Sequence, residues 1–242
     1  MTEAAKELPV PGEVIEVEGH TAFVVTPAGG VGGGPVPWVW YAPTLEGLPG
    51  REEIWMFEQF SRAGIAIAGI DVGESCGNPE GRRLFHALHA ELVAGRGFAP
   101  RACLLARSRG GLMLYNWAAE SPTQVACVAG IYPVCDLRSY PGMAAACSAY
   151  GMTESQLAAA LAEHNPVERV DSLAREGVPI FHLHGDSDTV VPLEHNSAAL
   201  VHRYRQAGGT ATLRVVAGEG HTMWPGWFEC QELVDFVVAH AH

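Results

Sequence analysis

The stretch Cys103-Leu-Leu-Ala-Arg-Ser108-Arg-Gly-Gly111 decides the fold of this 242-residue chain. An apolar run ends at Arg107, Ser108 sits in a sharp turn, and a helical pattern begins at Gly110. Residues with small side chains, Ala106 and Gly110, stand two positions before and after the serine, where larger ones would clash in a tight turn. The pattern predicts a serine hydroxyl between a strand end and a helix start, where backbone N–H groups can hold an oxyanion. The alternative is that Ser108 only caps the helix.

Short apolar runs alternate with helical patterns on both sides of this turn. Such alternation predicts an α/β fold in which a mostly parallel central sheet carries helices on both faces, with an antiparallel hairpin at one edge. Ligands bind at the carboxyl ends of the strands in sheets of this kind. The predicted strands are Val14–Glu18, Thr21–Thr26, Trp38–Ala42, Ile65–Ile70, Ala102–Ala106, Val125–Ile131, Val178–Leu183 and Thr210–Val216. The predicted helices are Arg51–Ala63, Gly81–Ala94, Gly110–Glu120, Leu193–Ala207 and Cys230–Ala239.

One segment, Tyr132–Arg175, interrupts the alternation and contains a single helical pattern near Glu154–Glu163. It is too short for a domain of its own, so we expect a small cap or an elaborated loop over the strand ends. The whole chain, residues 1–242, is then one domain. The Gly- and Pro-rich segment Gly29–Pro37 predicts a loop between strands.

Two further motifs follow late strands. The first is His184-Gly-Asp-Ser-Asp188-Thr-Val-Val-Pro192, where Asp188 is the candidate acid. Asp186 is the alternative, although a loop cap is the more ordinary role for it. The second is Gly218-Glu-Gly-His221, directly after the last predicted strand. His184 is expected to be a buried structural residue.

The order Ser108, Asp188, His221 resembles that of the α/β-hydrolase superfamily. The segment from His184 to Pro192 is similar to the H-G-x-x-D-x-x-V-P signature of esterases and prolyl-oligopeptidase-like (dienelactone-hydrolase-like) enzymes. The resemblance implies an α/β-hydrolase fold in which Ser108 attacks an acyl carbonyl, His221 moves the proton and Asp188 orients the imidazole. Superfamily members usually have Gly where this chain has Ala106.

An oxyanion hole needs two donors, and the resemblance implies the backbone N–H of Arg109 as one. The other comes from the loop after the third strand, where family members usually show His-Gly and this chain has Tyr41-Ala-Pro-Thr44-Leu45. Pro43 has no N–H to donate. We therefore expect Thr44, with Leu45 as the alternative.

Five residues near predicted strand ends or in the cap are candidates for substrate binding. They are Tyr41, Leu45, Arg138, Tyr150 and Trp224. Arginine can bind a carboxylate and aromatic side chains line many ester pockets. The alternatives are that the aromatic residues fill the core and that the arginines pair with nearby acids.

Composition excludes some functions. The net charge of −12 disfavours nucleic-acid binding and docking on anionic membranes. The six cysteines show no C-x-x-C spacing and are expected to be reduced thiols, although a Cys135–Cys147 bridge stays open. Pairs such as His182 and His184 lack further ligands, so we expect no metal and no cofactor.

Met1–Val10 has no cationic segment followed by an apolar stretch, and no apolar run reaches the ~18 residues of a membrane span. We therefore expect a cytoplasmic protein. A homo-oligomer is possible.

The predicted function is a carboxylic-ester hydrolase for small or medium soluble esters. The alternatives are a prolyl-oligopeptidase-like peptidase and a hydrolase fold that binds a ligand without catalysis.

Overall fold

The fold was analysed in a computed structural model, which describes residues 6–27, 29 and 33–242. The predictions for Met1–Val10 and for Gly29–Pro37 therefore lie partly outside the described residues.

The predicted opening hairpin is confirmed. Strand β1, Glu13–Val17, pairs antiparallel with β2, His20–Val25. The turn residues Glu18 and Gly19 have φ angles of 50° and 78°. Positive φ at both central residues is what a two-residue turn needs to match the twist of the strands.

The remaining strands complete an eight-stranded sheet, with order β1-β2-β4-β3-β5-β6-β7-β8. Strand β2 pairs antiparallel with β4, and every later pairing is parallel. The mostly parallel sheet with an antiparallel edge is thus confirmed. The strands are β3 (Trp38–Ala42), β4 (Ala66–Ile70), β5 (Ala102–Arg107), β6 (Val125–Ile131), β7 (Ile180–Gly185) and β8 (Ala211–Val216).

Helices cover both faces of the sheet. Successive side chains of a strand point to opposite faces, so Trp38 and Trp40 of β3 join one core while Val39 and Tyr41 join the other. Helices α2, α3 and α8 pack on the first core, and α1 and α10 pack on the second. These helices are α1 (Ile54–Arg62), α2 (Pro79–Ala90), α3 (Gly110–Glu120), α8 (Ser197–Gln206) and α10 (Gln231–His240).

The cap segment, residues 132–175, contains four short helices where the sequence predicted one. They are α4 (Met143–Tyr150), α5 (Glu154–Ala159), α6 (Leu161–His164) and α7 (Asp171–Arg175). Ala146 and Leu157 form a separate apolar cluster with Leu112 of α3 and Val191. Leu173 of α7 belongs instead to the main core.

The helix predicted at Leu193–Ala207 is interrupted at Asn196. A single 3₁₀ turn, Leu193–His195, precedes α8. The Oδ1 atom of Asn196 accepts hydrogen bonds from the backbone N–H groups of Cys135 and Asp136, at 2.9 and 3.2 Å. This bond pair ties the helix start to the loop after β6. A further short helix, α9 (Pro225–Phe228), follows the last strand.

Within the described residues, no helix combines the length and apolarity required to cross a bilayer. The same residues contain no group of three or more His, Cys, Asp or Glu side chains arranged to hold a metal ion. The six cysteines are free thiols.

Candidate active site

Ser108 occupies a strained turn at the end of β5. Its φ angle is 48°, which is uncommon for a residue other than glycine. Three backbone hydrogen bonds hold it there. The N–H of Ser108 donates to Ile131 at 3.0 Å, and its carbonyl accepts from Gly111 at 2.9 Å and Val134 at 2.8 Å. Strain that the surroundings enforce in this way is typical of functional sites.

The two glycines after Ser108 are required by close packing. A Cβ atom at Gly110 would lie 2.0 Å from the carbonyl oxygen of Ala42, at the end of β3. One at Gly111 would lie 2.3 Å from the carbonyl oxygen of Val134. The start of α3 is therefore pressed against the loops after β3 and β6. The turn at Ser108 and these two loops therefore pack against one another at the carboxyl ends of the strands.

The structure brings Ser108, His221 and Asp188 together, although they are far apart in sequence. The Oγ of Ser108 lies 2.9 Å from Nε2 of His221, and Nδ1 of His221 lies 2.8 Å from Oδ2 of Asp188. A carboxylate only accepts, so Nδ1 of His221 carries a proton and donates it to Asp188. In the neutral ring, Nε2 is then free to accept the Ser108 hydroxyl proton. This is the geometry of a nucleophile, a base and an orienting acid.

Asp188 is held as an anion. Burial raises its pKa, but hydrogen bonds from His184, His221 and the backbone N–H of Val191 outweigh that effect and bring the pKa below its usual value. The Oδ1 atom accepts from the backbone N–H groups of Val190 at 2.9 Å and Val191 at 2.8 Å. The carboxylate therefore stays charged and fixed in direction.

Asp186, the alternative acid, instead links the loop after β7, which carries Asp188, to the loop after β8, which carries His221. Its Oδ1 accepts a hydrogen bond from the backbone N–H of Gly218 at 2.8 Å. The N–H of Ser187 donates to the carbonyl of Glu219 at 3.0 Å. A Cβ at Gly185 would lie 2.0 Å from that same carbonyl oxygen, so the Asp188 and His221 loops touch through backbone atoms.

A buried chain of hydrogen bonds leads from the core to Asp188. His184 Nε2 lies 2.8 Å from the carbonyl oxygen of Val191, which can only accept, and 3.5 Å from Oδ2 of Asp188. His184 Nδ1 is 2.8 Å from the Ser197 hydroxyl, which is 2.9 Å from Nδ1 of His182.

The direction of this chain follows from its end point. With both rings neutral, His184 Nε2–H donates to Val191, so Ser197 donates to His184 Nδ1 and accepts from His182 Nδ1. The Tyr115 hydroxyl, 2.7 Å from His182 Nε2, then donates to it. Burial lowers the pKa of His182 to about 3, which keeps its ring neutral.

Ser108 opens into a cavity of about 250 Å³. The lining residues are Pro43, Leu48, Arg107, Ser108, Arg109, Tyr132, Tyr140, Val190, His221 and Met223. A second cavity of about 400 Å³ lies beside it under α4 and shares Arg109 and Tyr140 with the first. The ring centroid of Tyr132 stands 4.2 Å from that of His221. Burial raises the pKa of the Tyr132 hydroxyl to about 12, so it remains a neutral part of the wall.

Of the two predicted oxyanion donors, Arg109 lines this cavity and Thr44 does not. The backbone N–H of Arg109 has no hydrogen-bond partner among the described residues, which leaves it available. Thr44 is buried, and its hydroxyl donates to the carbonyl of Tyr41 at 3.3 Å. Its neighbour Pro43 lines the cavity. The roles of Arg109 and Thr44 as donors stay predictions.

The five predicted substrate contacts are not among the residues that line the cavity at Ser108. The buried Tyr41 hydroxyl donates to Glu53 at 3.0 Å, and the carbonyl of Leu45 accepts from Leu48 and from Lys6.

Arg138 and the two other aromatic candidates are also engaged elsewhere. Arg138 forms a two-nitrogen pair with Asp136 and contacts Glu168, as the ion-pair alternative expected. The Tyr150 hydroxyl, at the end of α4, donates at 3.0 Å to the carbonyl of Cys76, which lies outside the cap between β4 and α2. Trp224 is 39% exposed and packs edge-on against Trp227.

Sequence reasoning missed several lining residues. Tyr132 directly follows β6, so the strand-end rule could have found it. Val190 and Met223 each stand two positions after a triad residue. Leu48 and Tyr140 carry no local signal, because only the folded loops bring them to the cavity.

Comparison with known proteins identifies the family. The model of the prolyl oligopeptidase family matches residues 90–239, which is more than half of the chain. The chain belongs to the prolyl oligopeptidase family. No curated protein matches it. The family, the sheet order and the Ser108–His221–Asp188 geometry are those of the α/β-hydrolase type.

Solved structures share the fold at low sequence identity. A puromycin-hydrolyzing peptidase from Mycobacterium tuberculosis has a TM-score of 0.74 and 18% identity, over 95% of this chain and 40% of its own. Porphyromonas gingivalis dipeptidyl peptidase 4 has a TM-score of 0.73 and 13% identity, over 95% and 35%. An S-formylglutathione hydrolase from Agrobacterium tumefaciens has a TM-score of 0.69 and 16% identity, over 96% and 94%. This prolyl oligopeptidase family member thus spans less than half of the length of the two peptidases just described.

Proposed function

We propose that the protein is a carboxylic-ester hydrolase that acts on small or medium soluble esters. The observation that carries the proposal is the continuous Ser108–His221–Asp188 hydrogen-bond series at the edge of a cavity. Esters demand less of such a site than amides do, because an alkoxide or phenoxide leaves more readily than an amine.

The reaction has two halves. Ser108 Oγ attacks the ester carbonyl carbon while His221 Nε2 takes the hydroxyl proton, and the N–H of Arg109 donates to the oxyanion. His221 then returns the proton to the leaving alcohol, and an acyl-enzyme on Ser108 remains. Water, deprotonated by His221, then attacks the acyl carbon; the bond to Ser108 Oγ breaks, His221 returns the proton to Ser108, and the acid is released. Throughout, Asp188 fixes the ring of His221 and stabilises its charged form.

The size of the substrate is inferred from the two adjoining cavities. About 250 Å³ at Ser108 and about 400 Å³ under α4 together suit a compound of small to medium size. The S-formylglutathione hydrolase is one of the fold neighbours whose length corresponds to that of this chain. Its name states an ester-type substrate, which supports an ester here.

The second candidate function is a peptidase. It is favoured by the match to the prolyl oligopeptidase family and by the peptidases among the fold neighbours. Proline-linked arylamides separate the two candidates. Faster turnover of a proline arylamide than of any ester of similar size would replace the ester proposal.

The first test is hydrolysis of p-nitrophenyl esters of increasing acyl length, with Ser108→Ala beside the wild type. Wild-type activity on short chains that falls to background in Ser108→Ala supports the proposal. Ser155→Ala, which changes an exposed serine of α5, is the matched control and should behave as wild type. An absence of turnover on both esters and peptides would favour the non-catalytic, ligand-binding alternative.

A further inference from the structure

Arg107, the residue before the nucleophile, is a buried cation in the cavity wall. Its Nη1 contacts the carboxylate of Glu53 and lies 3.5 Å from the Tyr41 hydroxyl. Glu53 is 1% exposed, and it also accepts from the backbone N–H of Gly50 at 2.8 Å and from Tyr41. The guanidinium carbon stands 4.9 Å above the ring of Phe228. One edge of the guanidinium is therefore fully engaged.

Beyond these contacts, the guanidinium faces only the thioether of Met223 and the neutral hydroxyl of Tyr132 among the described residues. Nη2 of Arg107 lies 2.9 Å from Sδ of Met223, and both residues line the cavity at Ser108. A thioether is a poor hydrogen-bond acceptor, and a buried guanidinium N–H is costly to leave so poorly satisfied. Met223 is 53% exposed and has an unbranched side chain, so it can move aside. The Nη2 edge is thus placed to receive an oxygen atom from a substrate.

The charges around Nη2 of Arg107 favour a neutral carbonyl oxygen over a carboxylate oxygen as its hydrogen-bond acceptor. Glu53 already neutralises Arg107, and Glu74 pairs with Arg109, the other arginine of the cavity. Asp188 adds a further negative charge at the triad. A carboxylate brought to Arg107 would face a second carboxylate on the same cation in a poorly solvated place. A neutral carbonyl oxygen accepts the same hydrogen bond without that repulsion.

We propose that Arg107 is a specificity residue, whose Nη2 donates to a second, neutral carbonyl oxygen on the substrate and displaces Met223. This inference rests on the proposed function and names its substrate class: uncharged acyl compounds with a second carbonyl group beside the one that Ser108 attacks. No covalent step is added, because Arg107 acts only by binding.

The test uses p-nitrophenyl esters of matched acyl length: hexanoate, 4-oxohexanoate, 5-oxohexanoate and the adipate monoester, each corrected for spontaneous hydrolysis. The wild type should prefer one oxo ester over hexanoate by about tenfold in kcat/KM, as expected for a hydrogen bond to a charged group. In Arg107→Lys the ratio of kcat/KM for the oxo ester to kcat/KM for hexanoate should fall near one. A single ammonium group cannot pair with Glu53 and donate to the substrate carbonyl at the same time.

Two further variants serve as controls for this result. The pair Arg107→Met with Glu53→Gln removes both charges, so no buried carboxylate is left alone, and it should also bring the ratio near one. Arg138→Lys, whose pair with Asp136 lies outside the cavity lining, should keep the wild-type ratio. Equal wild-type rates on the oxo and plain esters would overturn the inference, and a preference for adipate would overturn its neutral class.

A binding assay distinguishes failure of the ester proposal from failure of the inference about Arg107. If plain hexanoate is not hydrolysed, Ser108→Ala is titrated by calorimetry with the p-nitroanilides of hexanoic, 4-oxohexanoic and 5-oxohexanoic acids. Tighter binding of an oxo anilide that is lost with Arg107→Lys supports the role of Arg107 even then. Equal binding of the three compounds overturns it.

Discussion

At the scale of single residues, the site depends on a few atoms held in one arrangement. Ser108 is strained, Asp188 is anionic, and His221 has its proton on the side of Asp188. His184 links Asp188 to Ser197 and so to the core. Two members of the series can only accept, the carboxylate of Asp188 and the carbonyl of Val191, and they set the direction of the hydrogen bonds from His221 and His184.

Asp188→Asn should reduce kcat by about 10³- to 10⁴-fold, because the amide favours the wrong tautomer of His221. Steady-state kinetics on a p-nitrophenyl ester measure the change. Asp186→Asn, whose amide oxygen can still accept from the N–H of Gly218, is the control and should reduce kcat by less than about tenfold. A larger loss with Asp186→Asn than with Asp188→Asn would contradict the assignment.

Because His182 is buried, we expect the free energy of unfolding to fall as the pH is lowered. Its folded-state pKa of about 3 lies below the ordinary 6.5, so between these values only the unfolded chain takes up the proton. Stability therefore increases with pH across that window, by up to ~1.4 kcal/mol per pH unit from this one group. Urea unfolding at several pH values should show a shallower slope for His182→Gln. Exposed His202→Gln is the control, and equal slopes for all three proteins would reject the idea.

At the scale of elements, the strand ends and the loops after them build the site. The end of β5 carries Ser108, the loop after β7 carries Asp188, and the loop after β8 carries His221. Backbone contacts through Gly110, Gly111 and Gly185 bring these loops closer than any side chain would allow. The glycines are therefore requirements of loop packing as much as of turn geometry.

Gly110→Ala should damage both stability and activity. Its Cβ would lie 2.0 Å from the carbonyl oxygen of Ala42, so α3 or the loop after β3 must shift. We expect a loss of ~1–3 kcal/mol in the free energy of unfolding and a loss of at least about 100-fold in kcat/KM. Urea unfolding and ester kinetics check the two losses. Gly33→Ala has open space around the new atom and should change neither.

At the scale of the whole molecule, one sheet supports two main cores, and the cap has its own small cluster. Helices on both faces bury the sheet, whereas α4 and α5 pack in a separate cluster with Leu112 of α3 and with Val191. A unit with a small apolar cluster opens more easily than the main core. The cavity under α4 therefore lies against the part of the fold with the smallest apolar support.

Leu157→Ala should loosen the cap more than the sheet. Leu157 is fully buried in the cap cluster, and its truncation costs about 2–5 kcal/mol of local packing. Hydrogen exchange should speed up over residues 143–164 and stay unchanged in β5. Leu233→Ala, in the core beneath α10, is the comparison and should lower global stability by a similar amount. Uniform acceleration in Leu157→Ala would show that the cap opens only with the whole protein.

The sequence alone determined the sheet, the serine turn and the order of the triad. Apolar runs of strand length and helical spacing are local signals, so β3, α3 and β6 were predicted with the observed bounds. The turn at Ser108 also has a local signature, because small neighbours are a steric requirement of that backbone. The loops after β7 and β8 followed from strand order.

Only the tertiary structure decided which side chains line the cavity at Ser108. Tyr41 was expected at the cavity but is bound to Glu53, and Arg138 is paired with Asp136. Arg107 instead lines the cavity, where it contacts Glu53 and Met223, both distant in sequence. Pairings between residues far apart in the chain depend on how loops pack, and no periodicity or motif carries that information.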